Sequence, residues 1–368
     1  MRANNNAVKT TAVAACTILC LAAAGPAQAK NYTGGSWDYS AASVSIDNSN
    51  APAFVKTPTY SRSPKYNSTH SYETQPNTIK TKAGNAKYTF KTKFFLPITY
   101  KKNGDFSLTQ SFAMNSDYLF VYSANRSKPD TAGWVTRYDI DTLLKAGVDK
   151  AGTKMKELRL AVTNMGLGRK LNSTEKLVKA AMKIGPAIDC GHGQSLSYNP
   201  VRGTLFCFKS MESGQAKLQE ISPTTLKVIN TWSFSSGSVT IVRNLDWDSE
   251  GNFYFDKPAA GDKSIRVYSG SIGSGNKIVL RQILTLSNRP GTLGQGIGVD
   301  REGGRLYLLT DGAFYSVPLA KVLDGTATKK DMRYTVLDTK RECEAIKFDE
   351  SGRIYLLLNS GSEILAAT

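Results

Sequence analysis

Short runs in which apolar residues take every second position, separated by polar turns, recur along most of the chain. Five of them share one pattern: a polar residue, two apolar residues two apart, then Asn or Asp. They are Gln110-Ser-Phe-Ala-Met-Asn115, Gln194-Ser-Leu-Ser-Tyr-Asn199, Arg243-Asn-Leu-Asp-Trp-Asp248, Gln295-Gly-Ile-Gly-Val-Asp300 and Glu344-Ala-Ile-Lys-Phe-Asp349, and they align without a gap. A turn and a β-rich run follow each: Tyr118-Leu-Phe-Val-Tyr122, Thr204-Leu-Phe-Cys-Phe208, Asn252-Phe-Tyr-Phe255, Arg305-Leu-Tyr-Leu-Leu309 and Arg353-Ile-Tyr-Leu-Leu357. Alternation, a turn that carries Gly in four of the five, and a second apolar run predict a β-hairpin each time.

The repeats start at 110, 194, 243, 295 and 344, and the last three intervals of 49, 52 and 49 residues fit one four-stranded blade of a β-propeller. The first interval, 84 residues, predicts a short helical insertion after the first blade, within about residues 146–184, where Ser173-Thr174-Glu175 reads as a helix cap. Third strands are expected at 134–138, 217–221, 264–268 and 313–317, and outer strands at 228–232, 279–283 and 333–337. The last repeat has no outer strand of its own. Residues 87–95, where Lys alternates with Thr and aromatic residues, precede the first repeat as the other outer strands precede theirs. The expected architecture is all-β, a five-bladed β-propeller closed by this N-terminal strand.

Ahead of the repeats, Arg2 and Lys9 precede an apolar run from Thr11 to Gly25, and Ala27-Gln28-Ala29 offers small residues for cleavage, so residues 1–29 read as a secretory signal peptide. Val13-Ala14-Ala15-Cys16 resembles a lipoprotein box only loosely, because the apolar run continues past Cys16. Nothing later is apolar enough for a transmembrane segment. Residues 30–83, rich in Tyr, Ser, Thr, Asn and Pro, are expected to form a flexible basic arm, and residues 84–368 the propeller.

Charge narrows the partners. The full chain carries +17, and removing Arg2 and Lys9 with the signal leaves +15, a balance that favours anionic partners. Residues 30–102 hold eleven basic residues against Asp38, Asp47 and Glu73, a solubilising tail or a wall contact. Export excludes nucleic acid, and the expectation is a soluble, secreted monomer, non-covalently associated with the cell wall. Three cysteines remain after cleavage, Cys190, Cys207 and Cys343, so at least one is unpaired within the chain; at least two read as small buried hydrophobes.

Candidate chemistry is sparse. The two histidines are His70, in the arm, and His192, in Gly191-His-Gly-Gln194 at the entry to the second repeat, where it is read as a structural, ligand-orienting or catalytic group. The alignment makes Gln110, Gln194, Arg243, Gln295 and Glu344 equivalent, a ring of polar side chains around one opening, with Glu342, Asn244 and Asp246 close by. Such a ring binds sugar hydroxyls or phosphate, or merely hydrates a channel; Glu342 and Glu344 also suit acid and base roles. No nucleophile elbow, phosphate loop or zinc signature occurs, and no metal or cofactor is expected.

The stretch Ile184-Gly-Pro-Ala-Ile-Asp-Cys-Gly-His-Gly-Gln-Ser-Leu-Ser-Tyr-Asn199, continuing to Gly203-Thr-Leu-Phe206, resembles the secreted helveticin J-like class III bacteriocins. It is similar also to the five-bladed propellers of the teichoic acid biosynthesis protein C type. The resemblance covers about residues 85–368 and implies recognition of an anionic, teichoic acid-like glycopolymer of Gram-positive envelopes, with killing in the helveticin-like members. It carries over His192 and its neighbours, and no catalytic set. Two readings follow: a bacteriocin-like wall-binding protein that is not an enzyme, and a secreted hydrolase or lyase with His192, Glu342 or Glu344 as acid or base.

Overall fold

The computed structural model describes residues 29–38, 40, 42–55, 60–61, 73–98, 106, 108–125, 127–209, 215–235, 244–258 and 263–368. The signal peptide expected at 1–29 lies, but for its last residue, outside them. In chain order the strands are β1 (Lys30–Thr33), β2 (Gly35–Trp37), β3 (Val44–Ile46), β4 (Thr78–Ala83) and β5 (Thr89–Phe95). Then come β6 (Thr109–Met114), β7 (Tyr118–Asn125), β8 (Lys128–Asp139), β9 (Met182–Ile188), β10 (Ser197–Asn199), β11 (Thr204–Phe208), β12 (Gln215–Ile221) and β13 (Val228–Ser235). The remainder are β14 (Asp246–Trp247), β15 (Phe253–Pro258), β16 (Ile265–Ile272), β17 (Ile278–Leu286), β18 (Gly294–Asp300), β19 (Arg305–Thr310), β20 (Ala313–Pro318), β21 (Arg333–Leu337), β22 (Cys343–Phe348), β23 (Ile354–Leu358) and β24 (Glu363–Ala367).

The fold is all-β, but the expectation of a five-bladed propeller is corrected by the strand pairing. Among the described residues, hydrogen bonding gathers the strands into four sheets: β6–β9 with four strands, β10–β13 joined by β1 to make five, β14–β17 joined by β2 and β3 to make six, and one of nine in the order β18-β19-β20-β21-β4-β5-β24-β23-β22. The end strands of this last sheet, β18 and β22, pack against each other, so it nearly closes on itself like a barrel. The cause is β4. It pairs with β21 on one side and with β5 on the other, joining two sets of strands through edges that would otherwise leave their N–H and C=O groups unpaired. β5 pairs with β24 and lies inside the sheet, not at an outer edge.

Within the stretch expected as a basic arm, the described residues include four strands, β1 to β4. β1 runs parallel to β13, while β2 and β3 run parallel to β17, each supplying an extra strand to an edge. Tyr32 stacks on Trp232 with ring centroids 5.2 Å apart, Trp37 meets Tyr268 edge-on at 5.7 Å, and Val44 and Ile46 are buried. A stretch poor in hydrophobic periodicity is held by a few aromatic and aliphatic anchors and by main-chain bonds that any sequence can make.

The helical insertion lies between β8 and β9, within the first sheet and not after it. It comprises α1 (Ile140–Ala146), α2 (Glu157–Gly166) and α3 (Ser173–Ala181). Asp139 caps α1, accepting from the Thr142 N–H at 2.8 Å. The cap of α3 is Asn172, one residue before the expected Ser173; it accepts from the Glu175 N–H at 2.8 Å while Glu175 accepts from the Asn172 N–H at 2.7 Å. α2 sends Arg159 into the interior, where it donates to the carbonyls of Leu96, Gly361 and Ser362.

The first strands of the five repeats, β6, β10, β14, β18 and β22, pack side by side in a closed circuit, β22 returning to β6. Their second strands and the neighbouring sheets bury the core between them, and Phe206, Trp232, Trp247, Phe253 and Phe255 form one aromatic cluster of it. That circuit positions the site.

Candidate functional site

Three of the five equivalent polar residues sit on a break in strand register. Thr109 pairs with Ser123 and Ser111 with Tyr122, so Gln110 is skipped; Gln295 and Glu344 are skipped in the same way between Gly294 and Gly296 and between Cys343 and Ala345. An extra residue in one strand re-aims its side chain, which alternation alone does not foresee. Gln194 lies just before β10, and all four side chains are buried. Arg243, the fifth, lies outside the described residues.

The residues leading β10, β18 and β22 meet. The Gln194 amide donates to Gln295 Oε1, and Gln295 Nε2 donates to Glu342 Oε1 at 3.1 Å. Glu344 accepts from Asn359 Nδ2 at 2.8 Å and from Gln194. Beside Gln295, Asn244 Nδ2 donates to Asp256 Oδ1 at 2.7 Å, and a Cβ on Gly294 would lie 3.5 Å from Asp256 Oδ2. Gln110 adjoins the His192 turn: a Cβ on Gly193 would approach Gln110 Cβ to 3.2 Å and would overlap the Tyr122 ring. Gly193, at φ +91°, is therefore required there, both for its conformation and for its missing side chain.

The structure holds this turn from three sides. Cys190 is disulfide-bonded to Cys207, with Cα atoms 5.6 Å apart; Gly193 N–H donates to the Cys190 carbonyl at 3.0 Å; and Ser111 donates its hydroxyl to the Gly193 carbonyl. Of the three cysteines, at least two of which read as small buried hydrophobes, Cys190 and Cys207 are thus a pair, while Cys343 is free and buried. His192 itself is exposed. In the repeat alignment it takes the position of Glu342, each lying two residues before one of the equivalent polar residues.

Sequence reasoning missed Asp311, Asn359 and Tyr60. Asp311 is fully buried; its Oδ2 accepts from Tyr60 at 2.9 Å and from Thr292 at 2.7 Å. Asp311 and Asn359 each lie six residues after the start of a second apolar run, at Arg305 and Arg353, a repeat offset that marks both. Tyr60 carries no such signal, because it comes from the stretch before the repeats. Burial, then Asp311, Glu342 and Glu344, hold its phenol protonated far above the ordinary range. Burial and the negative charge of Glu342 also push the Glu344 carboxyl well above its ordinary value.

No protein-family model matches this chain, and no curated protein does. No helix among the described residues is long and apolar enough to cross a membrane. The geometry therefore stands on its own residues. Among those described, no three His, Cys, Asp or Glu side chains converge as a metal ion requires. The side chains that meet here instead offer carboxylate and amide oxygens, groups that accept from O–H and N–H donors.

Proposed function

We propose that the protein is a secreted, non-enzymatic binder of cell-wall glycopolymers, bacteriocin-like in its targets, with its recognition site at the opening formed by the first strands. The observation that carries the reading is the joined row Gln194, Gln295 and Glu342, with Glu344 and Asn359 against it. Rows of amides and carboxylates with fixed partners recognise sugar hydroxyls. The charge of +15 left after removal of residues 1–29 adds attraction to a polyanionic wall without regard to its sugar sequence. The likeness of Gly191-His-Gly-Gln194 to helveticin J-like bacteriocins supports Gram-positive envelopes as the target.

The test is co-sedimentation of purified mature protein with isolated Gram-positive walls across a salt series, with chromatography of the supernatant for released fragments. Binding is expected to fall steeply between about 0.1 M and 1 M salt, as the Debye length shrinks from roughly 10 to 3 Å, with no fragments released. Absence of binding at low salt would refute the reading.

The raised Glu344 carboxyl beside Glu342 favours one second reading, a wall hydrolase or lyase, since a buried carboxyl that keeps its proton is suited to act as a general acid. Fragment release by the wild type that is lost in Glu344→Gln, with wall binding retained, would establish it.

A further inference from the structure

A polar row interrupts an apolar sheet face in the third repeat. Val267, two residues before Ser269 and so on its side of β16, belongs to the core that also holds Ile297 and Val299 of β18. Toward the start of β15 the same face turns polar. Tyr254 pairs with Ser269 and Ser269 with Arg281, while Asp38, next after Trp37, donates its N–H to the Leu280 carbonyl at 2.8 Å. With Asn252 these residues line an open cavity of about 250 Å³. Asp248 sets the direction of the bonds: it accepts from Tyr254 Oη at 2.8 Å and from Asn252 Nδ2 at 2.9 Å, so the phenol oxygen and Asn252 Oδ1 keep their lone pairs. Arg281 is half-buried, and its Nε donates to Ser269 Oγ at 3.1 Å, which leaves the N–H groups of both Nη atoms without an acceptor among the described residues. Asp38, whose Oδ1 accepts from Ser40, brings a negative charge to the same cavity.

We infer that this cavity takes a single neutral sugar ring. A sugar hydroxyl both donates and accepts, which matches the guanidinium donors of Arg281 standing beside the acceptor oxygens of Tyr254 and Asn252. Phosphate only accepts; it would leave those two oxygens without donors and set its charge against Asp38 and Asp248. An ammonium only donates, and it would leave the Arg281 N–H groups unsatisfied and add a second positive charge. The volume lies just under the roughly 300 Å³ at which pockets for drug-sized ligands begin, so it suits one ring and not a chain. The place is separate from the opening: Asp256, which bonds to Asn244 there, lies four residues beyond Asn252, about 13 Å along the strand. The inference thus adds a second saccharide contact to the wall-glycan reading and does not depend on it. Part of the cavity is supplied by the N-terminal stretch, since Asp38 reaches it through the pairing of β2 with β17.

The test is saturation-transfer NMR of the mature protein with D-glucose, D-galactose and N-acetyl-D-glucosamine, each titrated for affinity, with inorganic phosphate, ethanolamine and glycine as charged competitors. At least one of the three sugars is expected to bind saturably in the millimolar range, untouched by the competitors. Arg281→Met should weaken that binding at least about tenfold, the loss of a hydrogen bond to a charged group, and Ser269→Ala about fivefold by releasing the guanidinium. The serine variant decides the matter if the arginine one fails to fold. No binding of any of the three sugars, displacement by a charged competitor, or wild-type affinity in a folded variant would each overturn the inference. Wall co-sedimentation on the same preparation keeps the two readings apart. Walls captured while the sugars go unbound would sink the cavity and spare the wall-binding reading; sugar binding lost in Arg281→Met, without wall capture by the wild type, would do the reverse.

Discussion

Lys347 and Asp246 form an ion pair inside the circuit of first strands, Nζ to Oδ1 3.2 Å, with both side chains almost wholly out of water. The pair ties four repeats together. Asp246 also accepts from Ser197 Oγ at 2.6 Å and from the Val299 N–H at 2.8 Å, and Lys347 donates to the carbonyls of Leu245 at 2.7 Å and Ile297 at 3.3 Å. Removing Lys347 leaves the buried Asp246 carboxylate with only the more distant Arg301 guanidinium, Nη2 to Oδ1 3.9 Å, as a described cation beside it. Lys347→Met is expected to cost about 3–5 kcal/mol in urea unfolding, and adding Asp246→Asn to recover part of it. A single substitution without effect would show that the pair does not hold the circuit.

Stability should depend on pH through Glu344. Its carboxyl is raised in the folded protein, so between the ordinary Glu value, about 4.3, and the folded one the native state holds a proton that the unfolded chain gives up. That contribution is complete below about pH 4 and is lost as pH rises through the folded value. Glu344→Gln needs no proton, so its Tm should exceed that of the wild type at pH 7 by a few degrees, the difference vanishing toward pH 4. Parallel Tm curves from pH 4 to 8 would contradict this.

Truncations separate the roles of the N-terminal strands. Deleting residues 30–46 uncovers the edges of β13 and β17 and removes Tyr32, Trp37, Val44 and Ile46 from their packing. The protein should remain folded with a Tm lower by several degrees and a tendency to associate. Deleting through Ala83 removes β4 and opens the nine-stranded sheet between β21 and β5, so insoluble protein is expected. Soluble, cooperatively folding protein from the longer deletion would show that β4 is dispensable.

The cysteines differ in what they do. Cys190 and Cys207 close a loop with a sequence separation of 17 residues, and replacing both with Ser should lower stability by about 3 kcal/mol while loosening the His192 turn. Cys343 is buried and its thiol is pushed far above the ordinary range by that burial, so iodoacetamide should modify it only after denaturation. Rapid alkylation of the native protein would contradict the burial.

The sequence by itself determined the hairpins, because side-chain alternation with a polar turn is a local property, visible in Gln295-Gly-Ile-Gly-Val-Asp300 and its four counterparts. It also placed Gln110, Gln194, Gln295 and Glu344 in equivalent positions, since repeats that stack alike put like positions side by side. Tertiary structure alone decided how those hairpins join. β1 to β4 bond mostly through main chain, which leaves little trace in side-chain pattern, so the joining of two repeats into one sheet was not legible. Nor was the polarity of the opening. Gln194 reads the same in sequence whether it donates or accepts, and only its contact with Gln295, itself bonded to Glu342 across the fold, fixes which end of the amide donates.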